Sequence, residues 1–168
     1  MILSAPLFIP DDFQIPEGLT TDRLRLRPLT IHDLEADYEA VMSSIDHLRR
    51  SRPFGPDHEW PTSDLSRDQN LIDLGWHQKE FQNRTSFAYT VMDPDDRICL
   101  GCVYIYPSDR PSHDAIVILW VRGSEVESGL DEHLLETVRD WIDEEWPFKH
   151  PGYPGRTVSW EAWRNLPT

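Results

Sequence analysis

The sequence predicts an α/β (α+β) fold, with a mixed sheet of about five to six strands flanked by three main helices. Residues 115–145 read as a buried strand, a short polar turn and a long amphipathic helix. Two β-prone runs, 86–92 and 98–106, flank a turn rich in aspartate, which predicts an antiparallel hairpin. The chain has 168 residues, of which 39% are hydrophobic, enough for one domain with a core and few for two. We therefore expect a single domain over residues 1–168.

The chain begins with residues 1–19, an apolar stretch with three prolines and no periodicity, which predicts an arm laid over the body. Residues 23–29 then alternate basic and apolar side chains. This alternation predicts a half-buried first strand with Leu24 and Leu26 on one face.

A first helix is expected after this strand. Thr30 and Asp33 have the spacing of a capping box, and apolar residues continue at helical spacing to about Ile45. Residues 49–63 contain three prolines and one glycine, which predicts an ordered loop. Ser63 is a suitable cap for a second helix with a broad apolar face.

The helix after the central strand has the clearest boundaries. Ser128 and Asp131 form a cap signature at its start, and Pro147 ends it. Residues 146–168 are expected to form a loop and a last strand, the β-prone segment 156–163. The apolar face of the helix comprises Leu130, Leu134, Leu135, Val138, Trp141 and Ile142.

The charge balance restricts the partners of this protein. There are 30 acidic and 16 basic residues, a net charge of −14, whereas nucleic acids and anionic membranes require a concentrated basic surface. A cationic substrate or partner fits better, although the acids can also serve solubility alone. No stretch has the roughly 20 apolar residues of a membrane span, and the N-terminus lacks the basic region of a signal peptide. We expect a cytoplasmic protein.

The cysteines and histidines do not predict a metal site. Cys99 and Cys102 have a C-x-x-C spacing inside a strand-like run, where residues three apart point to opposite faces. We therefore expect two core side chains whose thiols do not converge. The seven histidines lack the spacing of zinc motifs.

The joint between the central strand and its helix is the main candidate for a binding site. A helix N-terminus after a tight turn attracts anions, because its first N–H groups lack helical partners and the helix dipole is positive there. This joint carries Glu125, Glu127, Asp131 and Glu132. The architecture therefore favours phosphate binding, whereas the charges oppose it. The alternative is a purely structural N-cap made by Ser128, Asp131 and Glu132.

Residues 19–29, LTTDRLRLRPL, followed by Asp33, form a distinctive opening motif. Together with residues 115–122 and Gly129, this motif resembles the GNAT superfamily of N-acetyltransferases, most closely its RimJ/RimL-like branch. The three stretches resemble that branch's T-x-R-L-x-L-R-P opening, its fourth strand and its pyrophosphate loop. The best-matched region is 20–145, and the chain is shortened relative to the family, without its C-terminal helix and last strands.

The resemblance implies acetyl-CoA as the cofactor. In the family, the fourth strand binds pantetheine and a loop of the form Q/R-x-x-G-x-G/A wraps the pyrophosphate. Here Gly129 matches the first glycine, but Val126 stands where Gln or Arg is expected and Asp131 where the second small residue is expected. A carboxylate at that position brings a like charge towards phosphate. The implied cofactor-binding residues are Trp120, Val121, Arg122, Val126, Glu127, Ser128, Gly129, Leu130 and Asp131.

The resemblance also implies a base for the amine and an acid for the leaving thiolate. Ile116 stands where the branch commonly has an acidic residue. His113 and Asp114 lie just before it and are candidate substitutes, with a solvated loop pair as the alternative. Tyr106, or Tyr104, is a candidate acid, with ordinary strand side chains as the alternative.

The resemblance leaves two functions open. One is acetyl transfer from acetyl-CoA to a primary amine, with residues 49–63 lining the acceptor site, as the region between the first two helices does in the family. The acidic charge favours a cationic amine or a basic peptide there. The other is a GNAT-derived binding or assembly module that does not use acetyl-CoA. The last strand, 156–163, would leave Trp160 and Trp163 uncovered, together with Trp141 and Trp146 of the preceding helix. Either the arm at 2–15 covers these tryptophans or two copies form a homodimer.

Overall fold

A six-stranded sheet runs through the computed structural model, which describes residues 7–168. The strands are β1 Leu19–Thr20, β2 Arg25–Pro28, β3 Phe87–Met92, β4 Cys99–Pro107, β5 Ala115–Val121 and β6 Pro151–Gly152. They lie side by side in chain order, and every pair is antiparallel except β5 with β6, which is parallel. The mixed sheet and the hairpin of β3 and β4 are therefore confirmed.

Helices cover both faces of this sheet. Within the described residues they are α1 Leu34–Met42, α2 Ile45–Ser51, α3 Arg67–Gln82, α4 Leu130–Glu145 and α5 Trp160–Arg164. The three longest, α1, α3 and α4, are the three main helices that the sequence predicts.

The predicted capping box precedes α1. The Thr30 side chain accepts a first-turn N–H, and the Asp33 carboxylate accepts the N–H of Thr30 at 2.9 Å. The helix does not reach Ile45, because the chain turns at Ser44, whose hydroxyl accepts the N–H of Gly123 at 2.8 Å. A separate helix, α2, follows this turn.

Residues 49–63, which the sequence predicts as a loop, begin inside α2. This helix ends at Ser51, because Arg52 adopts a left-handed conformation with φ 46°. The cap of α3 is Ser66, whose hydroxyl accepts the N–H of Gln69 at 3.1 Å. The assignment of this cap to Ser63 is therefore wrong by three residues.

Two apolar layers hold the sheet. On one face, α4 packs through the side chains predicted from its periodicity, and Leu24 and Leu26 of the first strand lie there together, as expected. On the other face, α1 and α2 pack through Ala40, Val41 and Leu48. Each layer excludes water from one side of β3, β4 and β5.

The two cysteines lie on the same face of β4, so the prediction that their side chains point to opposite faces is wrong. Cys99 and Cys102 are both buried in the layer beneath α1. The pairing of β3 with β4 shifts between Val91 and Met92, so that Val91 lies opposite Gly101 and Met92 opposite Cys99. This irregularity inserts an extra residue in β4 and reverses the side-chain alternation.

The segment 156–163 is not a strand, so that prediction is also wrong. Ser159 caps α5 by accepting the N–H of Ala162 at 3.1 Å. Trp163 is 3% exposed and lies against Gly152 and the His113 ring, whose centroid is 4.7 Å from that of the indole. This cap and this tertiary contact override the β propensity of the segment.

The N-terminal arm covers Trp146, one of the tryptophans that it is expected to cover. The rings of Phe8 and Phe13 pack against Phe148 and Trp146, with centroids 5.3 and 5.6 Å apart. The Arg84 guanidinium donates to the carbonyl oxygens of Pro10 and Phe13, each at 2.8 Å. The part of the proposed arm before residue 7 lies outside the described residues.

Candidate functional site

The parallel strands β5 and β6 pair at two positions only, Ala115 with Pro151 and Ile116 with Gly152, and then diverge. Within the described residues, the edge of β5 beyond Ile116 therefore has no neighbouring strand on that side. A cavity of about 480 Å³ lies at this edge, between β5, the turn before α4 and the segment before α5. We call it the joint cleft.

The joint cleft brings together six of the nine predicted cofactor-binding residues. They are Trp120, Val121, Val126, Glu127, Gly129 and Asp131. The resemblance implies this set, and all six lie close together in the chain, in one strand, one turn and one helix start. Their use by a cofactor is a proposal, which is taken up below.

The other three predicted residues do not line the cleft. The Arg122 guanidinium binds both oxygens of Glu39, at 2.7 and 2.6 Å, and so lowers the pKa of that carboxyl. Leu130 is 2% exposed and belongs to the core. Ser128 is exposed, and its hydroxyl donates to the Glu125 carboxylate at 2.8 Å. Arg122 therefore cannot offset the acids of the cleft without leaving Glu39.

The turn at the start of α4 differs from the predicted cap. Gly129 occupies the N-cap position with φ 78°, a left-handed conformation that favours glycine, and no side chain caps the helix. Ser128 instead ends the preceding 3-10 turn, and the Asp131 carboxylate binds Arg156. A Cβ atom on Gly129 would meet no atom within 4 Å, so the backbone of this turn is open to a ligand.

The ion pair of Asp131 and Arg156 crosses the cleft. Two bonds join the groups, including Nη2 to Oδ1 at 3.0 Å, and the same Nη2 donates to the carbonyl oxygen of Leu119 at 2.9 Å. A cation 25 residues away thus neutralises the carboxylate that the sequence places against a phosphate. Sequence reasoning missed Arg156 because it assigned this residue to a strand.

Two predicted catalytic residues lie at the other end of β5. The Asp114 carboxylate accepts the N–H groups of Lys149 and His150, at 2.7 and 3.0 Å, and so fixes a loop. The His113 ring packs on Trp163. Asp114 lies six positions before Trp120 in the chain, which is about 20 Å along an extended strand. This position argues against proton transfer by either side chain in the joint cleft.

Tyr106, the third predicted catalytic residue, lines a second cavity of about 250 Å³ between α1, α3, the loop before α3 and β4. We call it the aromatic cavity. The Tyr104 ring stacks on that of Tyr106, with centroids 6.1 Å apart. The Tyr104 hydroxyl accepts the indole N–H of Trp120 at 3.1 Å, so one hydrogen bond links the walls of the cavity and the cleft. Burial raises the pKa of Tyr106 and keeps its phenol protonated.

The aromatic cavity also contains Asp37, a residue that sequence reasoning did not select. Asp37 is 4% exposed, and burial raises its pKa to about 6. It lies three residues after Leu34 and four before Val41, on the apolar face of α1. An acidic residue among the apolar positions of a helix is the sequence signal that could have identified Asp37.

The joint cleft fits the apolar part of acetyl-CoA better than the phosphates. Its β5 edge offers backbone groups to an extended chain such as pantetheine. Its charged side chains are Glu127, Asp131 and Glu132 against Arg52 and Arg156, with His47 beside them. Arg52 already donates to the Pro56 carbonyl oxygen, at 2.6 Å. Arg156 is therefore the cation best placed for a phosphate, provided that it leaves Asp131.

Between residues 7 and 168, no helix has the length and hydrophobicity to cross a bilayer. In the same part of the chain, no group of three or more histidine, cysteine, aspartate or glutamate side chains is placed to hold a metal ion.

Comparison with known proteins identifies similar solved structures. A proposed GnaT-family acetyltransferase from Bordetella pertussis has a TM-score of 0.57 and 19% identity, over 76% of this chain and 73% of that one. A proposed ribosomal-protein-serine acetyltransferase from Vibrio cholerae has a TM-score of 0.61 and 14% identity, over 86% and 74%. RimL, a ribosomal-protein acetyltransferase in complex with coenzyme A, has a TM-score of 0.58 and 14% identity, over 75% and 67%. No family model and no curated protein matches the sequence. At these identities, the likeness concerns the fold.

Proposed function

We propose that this chain, which has the fold of the GNAT acetyltransferases, transfers an acetyl group from acetyl-CoA to a primary amine. The observation that carries the proposal is the divergence of β5 and β6, which leaves a strand edge open beside the turn of Gly129. A strand edge pairs with an extended chain through its backbone. The helix N-terminus next to it favours an anion. Acetyl-CoA, when bound, supplies an activated thioester.

Arg156 has two roles in this proposal. Its guanidinium leaves Asp131 and binds the pyrophosphate, because a bidentate bond to phosphate is at least as favourable as one to a carboxylate. The same movement frees the Leu119 carbonyl oxygen for the pantetheine chain. Binding therefore includes the loss of a partly exposed ion pair, which costs about 1 kcal/mol.

The acceptor in this proposal is a cationic amine, either a small molecule or the N-terminus of a basic peptide. The net charge of −14 attracts cations to the protein. Tyr106 is the proposed proton donor, since its phenol is protonated at neutral pH. RimL, which shares the fold, acts on a ribosomal protein and supports an amine acceptor.

A second candidate function is binding without cofactor chemistry. The observation that favours it is Arg156, which already occupies both Asp131 and the Leu119 carbonyl oxygen. If this arrangement is permanent, the pantetheine edge is closed and the GNAT fold serves another ligand.

Calorimetric titration with acetyl-CoA and with CoA distinguishes the two functions. The transferase requires micromolar binding, and Gly129→Glu should abolish it by adding a charge at the turn. Gly129→Asn is the matched control, because asparagine tolerates the left-handed conformation and adds no charge. The absence of heat at millimolar acetyl-CoA would exclude the transferase and leave the binding module.

A further inference from the structure

The aromatic cavity has rigid walls made of rings. Phe54 lies edge-on to Trp60, with centroids 5.3 Å apart at 90°, and 5.1 Å from the Tyr104 ring. Tyr106 continues this wall, and Trp76 on α3 stands at the rim, 55% exposed. Stacked and edge-on rings hold one another in place, so the cavity does not need to form upon binding.

A buried carboxylate lies in this aromatic wall. Asp37 Oδ2 accepts the side-chain N–H of Asn70 at 2.9 Å, and Oδ1 lies 3.6 Å from the Cys102 thiol. Both partners are uncharged. Within residues 7–168, Asp37 forms no ion pair with an arginine, lysine or histidine. A buried carboxylate without a cation is expensive, because hydrogen bonds to neutral groups replace only part of its hydration.

The other ionisable groups of the cavity do not supply the missing cation. Asp73 lies one turn after Asn70 on α3 and adds a second acid. His77 is half-buried, and burial lowers its pKa, which favours the neutral ring. His58 stands on the facing loop, beside Phe54. The lining of the cavity therefore contains two acids and no arginine or lysine.

We propose that the aromatic cavity binds a small organic ammonium ion, whose N–H groups donate to Asp37 and whose apolar body lies against Phe54 and Trp60. A carboxylate provides a charge-assisted hydrogen bond, and an indole face attracts a cation. A volume of about 250 Å³ is below the usual range of about 300 to 1,000 Å³ for ligand pockets. The ligand is therefore a small amine, and a folded protein surface is excluded as the occupant.

This binding does not require acetyl-CoA, so it holds for a transferase and for a binding module. In a transferase the bound ammonium is the acceptor. The hydrogen bond from Trp120 to Tyr104 then connects the amine cavity to the joint cleft. In that case the ammonium would first pass one proton to the Asp37 carboxylate. The neutral nitrogen would then attack the thioester carbon, the C–S bond would break as the C–N bond forms, and the second nitrogen proton would leave with the sulfur as the CoA thiol.

Titration of the full chain with benzylamine, in the absence of CoA, tests the inference. Benzyl alcohol has the same ring without the charge, and n-butylamine has the charge without the ring. We expect benzylamine to bind at least about tenfold more tightly than benzyl alcohol, since only the amine neutralises Asp37. Equal affinity for benzylamine and benzyl alcohol, or no binding of either amine at millimolar concentration, would overturn the inference.

Substitutions test whether Asp37 supplies the negative charge that binds the amine. Asp37→Asn should reduce benzylamine affinity at least about tenfold and leave benzyl alcohol unchanged. Asp68→Asn is the matched control, because Asp68 is an exposed acid of α3 outside the cavity, and this variant should bind like the parent. If Asp37→Asn fails to fold, Asp73→Asn removes the second acid of the cavity, which is half-buried, and should reduce benzylamine affinity a few-fold. An unchanged affinity in Asp73→Asn and Asp37→Asn, or an equal loss in Asp68→Asn, would contradict a specific ammonium site.

Discussion

Arg156 holds Asp131 and the carbonyl oxygen of Leu119 with the same guanidinium nitrogen, Nη2, at 3.0 and 2.9 Å. It thereby joins the start of α4 to the open edge of β5. The sequence has an acid where the pattern that it resembles has a small residue, but the structure shows that this acid is paired with a cation. Whether the joint cleft takes a phosphate therefore depends on how easily this pair separates.

The first prediction concerns this pair. Asp131→Asn should strengthen CoA binding about three- to tenfold, roughly 1 kcal/mol, because Arg156 no longer has to leave a carboxylate. Glu132→Gln is the control. It also removes one negative charge from the cleft, but from a side chain that forms no ion pair among the described residues. Calorimetry on both variants measures the effect. Equal gains would assign the effect to net charge alone.

The second prediction separates Arg122 from cofactor binding. Arg122 is 9% exposed and binds Glu39 at two points, so Arg122→Met should lower the free energy of unfolding by about 2 to 3 kcal/mol. The pair of Arg164 and Asp57 is largely exposed, so Arg164→Met should cost under about 1 kcal/mol. Urea denaturation measures both. If folded Arg122→Met loses CoA affinity at unchanged stability, Arg122 has the cofactor role that the resemblance implies.

The third prediction concerns pH and stability. The pKa of Asp37 is raised to about 6, mainly by burial, while Asn70 and Cys102 oppose this shift and the acids Asp33 and Asp73 add to it. Because the folded-state pKa lies above the ordinary value, the buried charge destabilises the folded state above about pH 6. This penalty is lost as the pH falls towards about 4, a gain of roughly 2 to 3 kcal/mol from this group.

Asp37→Asn should therefore be more stable than the parent at about pH 7 to 8, and this difference should disappear near about pH 4. Comparison of the two proteins by urea denaturation across this range cancels the contributions of the other carboxyl groups. Asp68→Asn, whose side chain is exposed, provides the baseline. A constant difference at all pH values would mean that Asp37 titrates at its ordinary pKa.

The fourth prediction concerns Trp163. Because this side chain is 3% exposed within one chain, Trp163→Glu should lower the free energy of unfolding by more than about 3 kcal/mol. Trp76→Glu, at a side chain that is 55% exposed, should cost under about 1 kcal/mol. The structure thus removes the argument for a dimer through an uncovered strand. Light scattering that showed a dimer in the parent and a stable monomer in Trp163→Glu would restore it.

Local patterns in the sequence were reliable where the partners are close in the chain. The capping box of Thr30 and Asp33 forms within one turn, and the apolar face of α4 follows from its own periodicity. The six cleft residues, which the resemblance implies, also lie close together in the chain. The assignment of Arg156 failed because the contacts that decide it are distant.

The sequence by itself determined the mixed sheet, the strand–turn–helix joint and the excess of acids, since periodicity and composition are properties of the chain. Only the tertiary structure decided which charges are neutralised. Asp131 forms an ion pair with Arg156, 25 residues away in the chain, whereas Asp37 is buried among aromatic rings and bonds only to neutral partners. The physical reason is that the free energy of a carboxylate depends on burial and on nearby charges, and folding alone brings these together.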